Sequence, residues 1–292
     1  MKKIGKLLTA MVTPFNDCDD VDFAQARRLA RDLVDVQGSD GIVVAGTTGE
    51  SPTISFEEKI ELMRIVVEEV GDRAYIVGGT GTNSTRDSIV LSKTAADTGI
   101  DAVMLVAPYY NKPPQEGLYQ HFKTVADSVS LPVILYNVPG RTQSNILPET
   151  VKQLSQVDNI VAIKEACGNM DQVSSLLSLV GEEMVVLSGD DSATLPMLSL
   201  GAQGVISVAS HIAGQKIKQM IDAFSAGELK KAALLHQELL PLFKILFITA
   251  NPIPVKHALS LRGMDVGGVR LPLVKASAAE IEKINSVVKK YI

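Results

Sequence analysis

Eight short runs of apolar and β-branched residues recur along the chain, at 7–13, 41–45, 75–79, 102–107, 133–138, 160–164, 184–188 and 205–209. Their hydrophobicity is continuous rather than alternating, which marks strands buried on both faces, as in a parallel sheet covered by helices. Segments with helical spacing lie between them and carry start signals: Ser55 before Phe56-Glu57-Glu58, Asn83-Ser84-Thr85 before a run to Ala96, and Pro148 at the head of a segment to Leu154. Eight β-then-α units predict an α/β fold, a (β/α)8 TIM barrel over residues 1–224. From 225 the strands cease, and 228–248, 252–261 and 277–291 predict three helices, a C-terminal helical domain over 225–292. Residues 239–248 are apolar on nearly every side, so the barrel or another subunit must cover them, and a homo-oligomer is expected.

Length alone is ambiguous, since 292 residues suit two ordinary domains or one barrel with an appendage. Charge narrows the partners. A net charge of -5 leaves no basic footprint for nucleic acid or for anionic membrane lipid. Cys18 and Cys167 form neither a CxxC pair nor a disulfide framework, pointing to inert thiols in a reducing, cytoplasmic setting. The opening MKKIGKLLTAMVTPF resembles a signal peptide, but Lys6 and Thr9 interrupt it and Pro14 ends it, so it reads as a first strand. Residues 239–250 contain Pro241 and Lys244 and are too short to span a membrane. His121, His211, His236 and His257 lack ligand spacing, so neither a metal nor a cofactor is expected. GGTGTNS at 78–84 lacks the third glycine of a phosphate loop and reads as a turn, and Asp190-Asp191 reads as a helix N-cap.

In a barrel of this kind, catalytic groups stand at the C-terminal ends of the strands. Those ends hold Thr47 and Thr48, Tyr109 and Tyr110, Tyr136 and Arg141, and Lys164. Burial at the end of an apolar strand disfavours the ammonium of Lys164, and a neutral amine can form a Schiff base with a carbonyl. The competing reading is a strand-end lysine paired with Glu165. Tyr136 can shuttle protons through Thr47 and Tyr110, or can be a core aromatic. Thr48 with Gly49 offers a carboxylate cradle or a simple turn, and Arg141 a bidentate clamp or a solvated loop cation.

GTTGE at 46–50, PYY at 108–110, YNVPGRT at 136–142, IKEA at 163–166, LSGDD at 187–191, GVISV at 204–208 and NPIPVK at 251–256 resemble, in order and over essentially the whole chain, the dihydrodipicolinate synthase family of lysine-dependent pyruvate aldolases. The resemblance implies a condensation of pyruvate with L-aspartate 4-semialdehyde at the first committed step of diaminopimelate and lysine biosynthesis. It further implies a homotetramer built as a dimer of dimers. It assigns Lys164 to the Schiff base and Tyr136 to proton transfer, with Thr47 and Tyr110 completing the relay and Tyr110 entering the partner's site. Thr48, Ile206 and Gly189 would hold pyruvate, and Arg141 the semialdehyde's carboxylate. Ser51, Asn83 and Tyr109 match the family's lysine-effector site, Asp87 replaces a longer glutamate, and Phe56 and Lys59 replace residues that are often histidine. A cationic Lys59 would repel a cationic effector, unless it points into solvent. The alternative is a sister aldolase, N-acetylneuraminate lyase or a 2-keto-3-deoxy sugar acid aldolase. Thr47 beside Thr48 and Arg141 after YNVP disfavour it, because a sugar needs hydroxyl partners where Arg141 stands.

Overall fold

The structure is a computed structural model that describes residues 2–292. Strands β1 (Leu7–Ala10), β2 (Gly41–Val44), β3 (Tyr75–Gly79), β4 (Ala102–Val106), β5 (Val133–Asn137), β6 (Ile160–Glu165), β7 (Val185–Ser188) and β8 (Gly204–Ser207) are all parallel and follow one another in order around a closed barrel. Closure is made by β8 against β1, with Ile206 opposite Leu8. Helices α1 (Phe23–Arg31), α2 (Phe56–Val70), α3 (Thr85–Ala96), α4 (Gln115–Ala126), α5 (Pro139–Thr142), α6 (Pro148–Leu154), α7 (Met170–Val180), α8 (Thr194–Leu200) and α9 (Ser210–Ser225) lie between or after the strands.

Alternate strand residues point to opposite faces. Leu8, Val43, Met104, Ile134, Leu187 and Ile206 fill the barrel interior, whereas Ile42, Ile76, Leu105, Ile163 and Val186 pack against the helices. Burial of both faces explains the unbroken apolar runs. The runs overshoot the strands because residues just past the strand ends, Val12, Ala45, Ala107, Val138 and Ala209, are buried too. The start signals act as expected: Ser55 forms a full capping box with Glu58, Ser84 accepts from the Asp87 amide, and Pro148 occupies the first turn of α6.

Helices α10 (Leu229–Ile245), α11 (Ile253–Leu261) and α12 (Ala278–Val288) complete the chain. Within 239–248, Leu239, Leu242, Phe243 and Leu246 join the main core, while Phe247 stays exposed. The chain thus covers most of this apolar stretch itself. Among the described residues no helix is long and apolar enough to cross a membrane.

Candidate active site

Lys164 and Tyr136 are cross-strand partners on β6 and β5. The Lys164 Nζ lies 4.3 Å from the centroid of the Tyr136 ring. No carboxylate forms an ion pair with Lys164 among the described residues. Burial pulls its ammonium from an ordinary 10.5 down to about 8, the Asp191 charge opposing the fall and the Arg141 charge adding to it. Gly189 gives the lysine its space, for a Cβ there would meet Ala166 Cβ at 2.8 Å and the Lys164 stem at 3.1 Å.

Glu165 does not pair with Lys164. One residue further along β6, it faces the other side of the sheet, where both carboxylate oxygens accept from Asn137 Nδ2 at 3.1 Å and Oε1 accepts from the Cys167 amide at 2.7 Å. Burial pushes the Glu165 carboxyl up, against the pull of Asn137. Asn137 follows Tyr136 as Glu165 follows Lys164, and the two are register partners. The outward pair thereby fixes the alignment of the inward pair.

Tyr136 is buried, and desolvation raises its phenol above the usual range, opposed by the Arg141 charge and a contact with Thr47. A cavity of about 380 Å³ opens over it, bounded by Thr47, Arg141, Ser51, Lys59 and Tyr109, a volume suited to a small metabolite. Arg141 reaches it from the short helix α5, turned out of β5 by Pro139 at the helix start. Ile206 lies in the same interior layer as Tyr136 and Leu187.

The loop after β2 carries Thr47 and Thr48 and has left-handed backbone at Ala45 (φ 55°) and Glu50 (φ 57°). Such non-glycine conformations persist only where the surroundings hold them. Thr48 is buried, and its Oγ1 accepts from Asn251 Nδ2 at 2.9 Å. Gly79 of β3 lets the loop pass, since a Cβ there would meet the Ala45 carbonyl oxygen at 2.5 Å.

Tyr110 stands apart. It is 90% exposed with φ 74° and does not line the cavity of its own chain. Of the residues matched to an effector site, Ser51, Lys59 and Tyr109 line the same cavity as Tyr136, whereas Asn83 and Asp87 do not. Lys59 is half-buried there rather than solvated, and burial lowers its ammonium.

Two aspartates read as a pair divide their work. Asp190 caps the turn at 191–193. Asp191 is buried and accepts from the Ser207 hydroxyl and from the Val208 and Ala209 amides, tying β8 to α9. The buried histidine His211 is structural, with Nδ1 donating to Val208 O at 2.8 Å, Nε2 accepting from the Val12 amide, and burial lowering its imidazolium to about 4. Sequence reasoning missed the roles of Asp191 and Asn251. Asn251 is marked only by the motif NPIPVK, and Asp191 only as half of an Asp190-Asp191 cap that Asp190 makes alone.

A family model described as the dihydrodipicolinate synthetase family matches residues 3–291. The 4-hydroxy-tetrahydrodipicolinate synthase of Desulforamulus reducens is 59% identical over 284 residues, covering 97% of this chain and 96% of its own. Among solved structures, a dihydrodipicolinate synthase of Bacillus anthracis superposes with a TM-score of 0.96 at 50% identity over 99% of each chain. That of Cyanidioschyzon merolae, solved with lysine bound, gives a TM-score of 0.96 at 42% identity, again over 99% of each chain. This chain belongs to the dihydrodipicolinate synthetase family.

Proposed function

We propose that the chain is a lyase, a 4-hydroxy-tetrahydrodipicolinate synthase, which condenses pyruvate with L-aspartate 4-semialdehyde through a Schiff base on Lys164. The observation that carries the mechanism is a buried lysine without a carboxylate partner, set against Tyr136 beside a cavity that Arg141 overlooks. With its ammonium lowered to about 8, Lys164 is partly neutral near physiological pH and can attack the keto carbon of pyruvate; loss of water gives the imine. Tyr136 takes and returns the protons of the carbinolamine through Thr47, and Tyr110 of a partner subunit completes the relay to solvent. Removal of a proton from the pyruvate methyl gives the enamine, which attacks the aldehyde carbon of the semialdehyde. The semialdehyde's amine then closes on the imine carbon and releases Lys164, one water being lost overall.

Thr48 and the backbone around it, with Ile206 and Gly189, hold the keto acid. Arg141 binds the carboxylate of the semialdehyde through its planar fork. The exposed Tyr110 supports assembly into a homotetramer as a dimer of dimers, with the helices from 225 onward serving that assembly. Two unpaired cysteines and the biosynthetic role fit a cytoplasmic enzyme. No nucleic acid, membrane or cofactor is part of this reading.

Borohydride reduction in the presence of pyruvate, followed by peptide mapping, tests it. The expected adduct is on Lys164; an adduct elsewhere, or none, overturns the mechanism. Lysine should inhibit weakly, because Lys59 faces the cavity with a like charge. Strong inhibition at submillimolar lysine would refute that assignment.

A further inference from the structure

The loop after β2 is held from behind by residues far along the chain. Asn251 Nδ2 donates to Thr48 Oγ1 at 2.9 Å, and both residues are buried. One turn into α11, Lys256 forms an ion pair with Glu50 Oε1 at 2.7 Å, the two side chains 3% and 1% exposed. The second Glu50 oxygen accepts from the Arg270 amide at 3.0 Å, and Lys256 Nζ also donates to Gly268 O at 2.6 Å. A single stretch, residues 251–256, therefore grips the loop at both Thr48 and Glu50, on either side of Gly49.

The direction of the Asn251 bond matters. A threonine hydroxyl has one proton to give and lone pairs to receive with. Where the Asn251 amide supplies a proton, Thr48 receives, and its own proton is left for another acceptor. No other hydrogen bond engages the Thr48 side chain among the described residues. With the amide reversed, Thr48 would donate to Asn251 and have nothing to offer an anion.

We propose that Asn251 is a positioning residue for the condensation: it keeps the Thr48 hydroxyl turned as a donor toward the carboxylate of the bound keto acid, while the Lys256–Glu50 pair fixes the rest of that loop. The proposal rests on the reading of Thr48 as a keto-acid ligand. Asn251 need not touch substrate. Its effect is confined to the capture of pyruvate, not to the chemistry at Lys164.

The test is a double-mutant cycle on the intact oligomer, with pyruvate KM, kcat and borohydride trapping at subsaturating pyruvate as readouts. Asn251→Leu, nearly isosteric but without a donor, should raise the KM for pyruvate about tenfold, the scale of one lost hydrogen bond to a charged group, with little change in kcat. Asn251→Ala, which cannot overpack, should do the same and serves if the leucine variant does not fold. In a Thr48→Val background neither substitution should add to the defect already present. Additive effects, or a fall in kcat at unchanged pyruvate KM, would overturn the proposal. Failure of the underlying reading looks different: Thr48→Val itself would then leave the pyruvate KM unaltered, and Asn251 would have nothing to act through.

Discussion

Lys164 and Lys256 are both almost fully buried, and each ammonium lies over an aromatic ring, 4.3 Å from Tyr136 and 4.1 Å from Phe15. They differ in what else they touch. Lys256 has the Glu50 carboxylate at 2.7 Å and a backbone carbonyl, and Arg270 covers the same Phe15 ring. Burial leaves its ammonium below the usual range, and the Glu50 charge and hydrogen bond oppose part of that fall. Lys164 has no such pair, because the nearest carboxylate in sequence, Glu165, faces away and is occupied by Asn137. One buried lysine is thus a fastening whose charge is matched. The other is a stored penalty, relieved when the amine sheds its proton or becomes an imine.

The contrast can be broken by removing each charge in turn. Lys256→Met should cost about 3–5 kcal/mol of unfolding free energy, since it leaves the Glu50 carboxylate buried without its partner. Chemical denaturation of wild type and variant checks this; equal stabilities would show that the pair fastens nothing.

Lys164→Met should act in the opposite sense, abolishing the pyruvate adduct while stabilising the fold by as much as about 3 kcal/mol at pH 7. The sign follows from proton binding. Below pH 8 the folded and unfolded chains both carry the proton, and the full burial penalty applies. Between pH 8 and 10.5 the unfolded chain holds a proton that the folded one has released, so wild-type stability rises with pH across that window. The gap between variant and wild type should therefore narrow over the same range. A gap independent of pH would mean that Lys164 is not held near 8.

Much of the barrel was legible in the sequence because its strands are buried on both faces. The runs at β3 through β6 coincide with their strands to within a residue at either end. The short helices α5 and α8, of four and seven residues, left no periodic signal. The strand-end rule brought out Lys164, Tyr136, Thr47 and Arg141, whose side chains the closed barrel gathers. It could not tell Lys164 from an ion-paired lysine, since neighbours one apart on a strand face opposite sides only once the strand is real. Asn251 and Lys256 escaped it altogether. They lie on no strand, and their link to Thr48 and Glu50 spans about 200 residues that no local pattern connects.

That span bears on how the protein is made. Synthesis runs from the N-terminus, so the loop bearing Thr47 and Thr48 emerges long before residues 251–270, which hold it. Closure of the barrel must also wait for β8 to meet β1. A nascent chain that has emerged through residue 224 holds the sequence of all eight strands and of Lys164, but neither the anchors of its left-handed loop at Ala45 and Glu50 nor the part of the main core that Leu239, Leu242 and Val255 supply. The loop at the barrel mouth is therefore fastened only after residues 251–270 have been made, so its final shape is among the last features the growing chain can acquire.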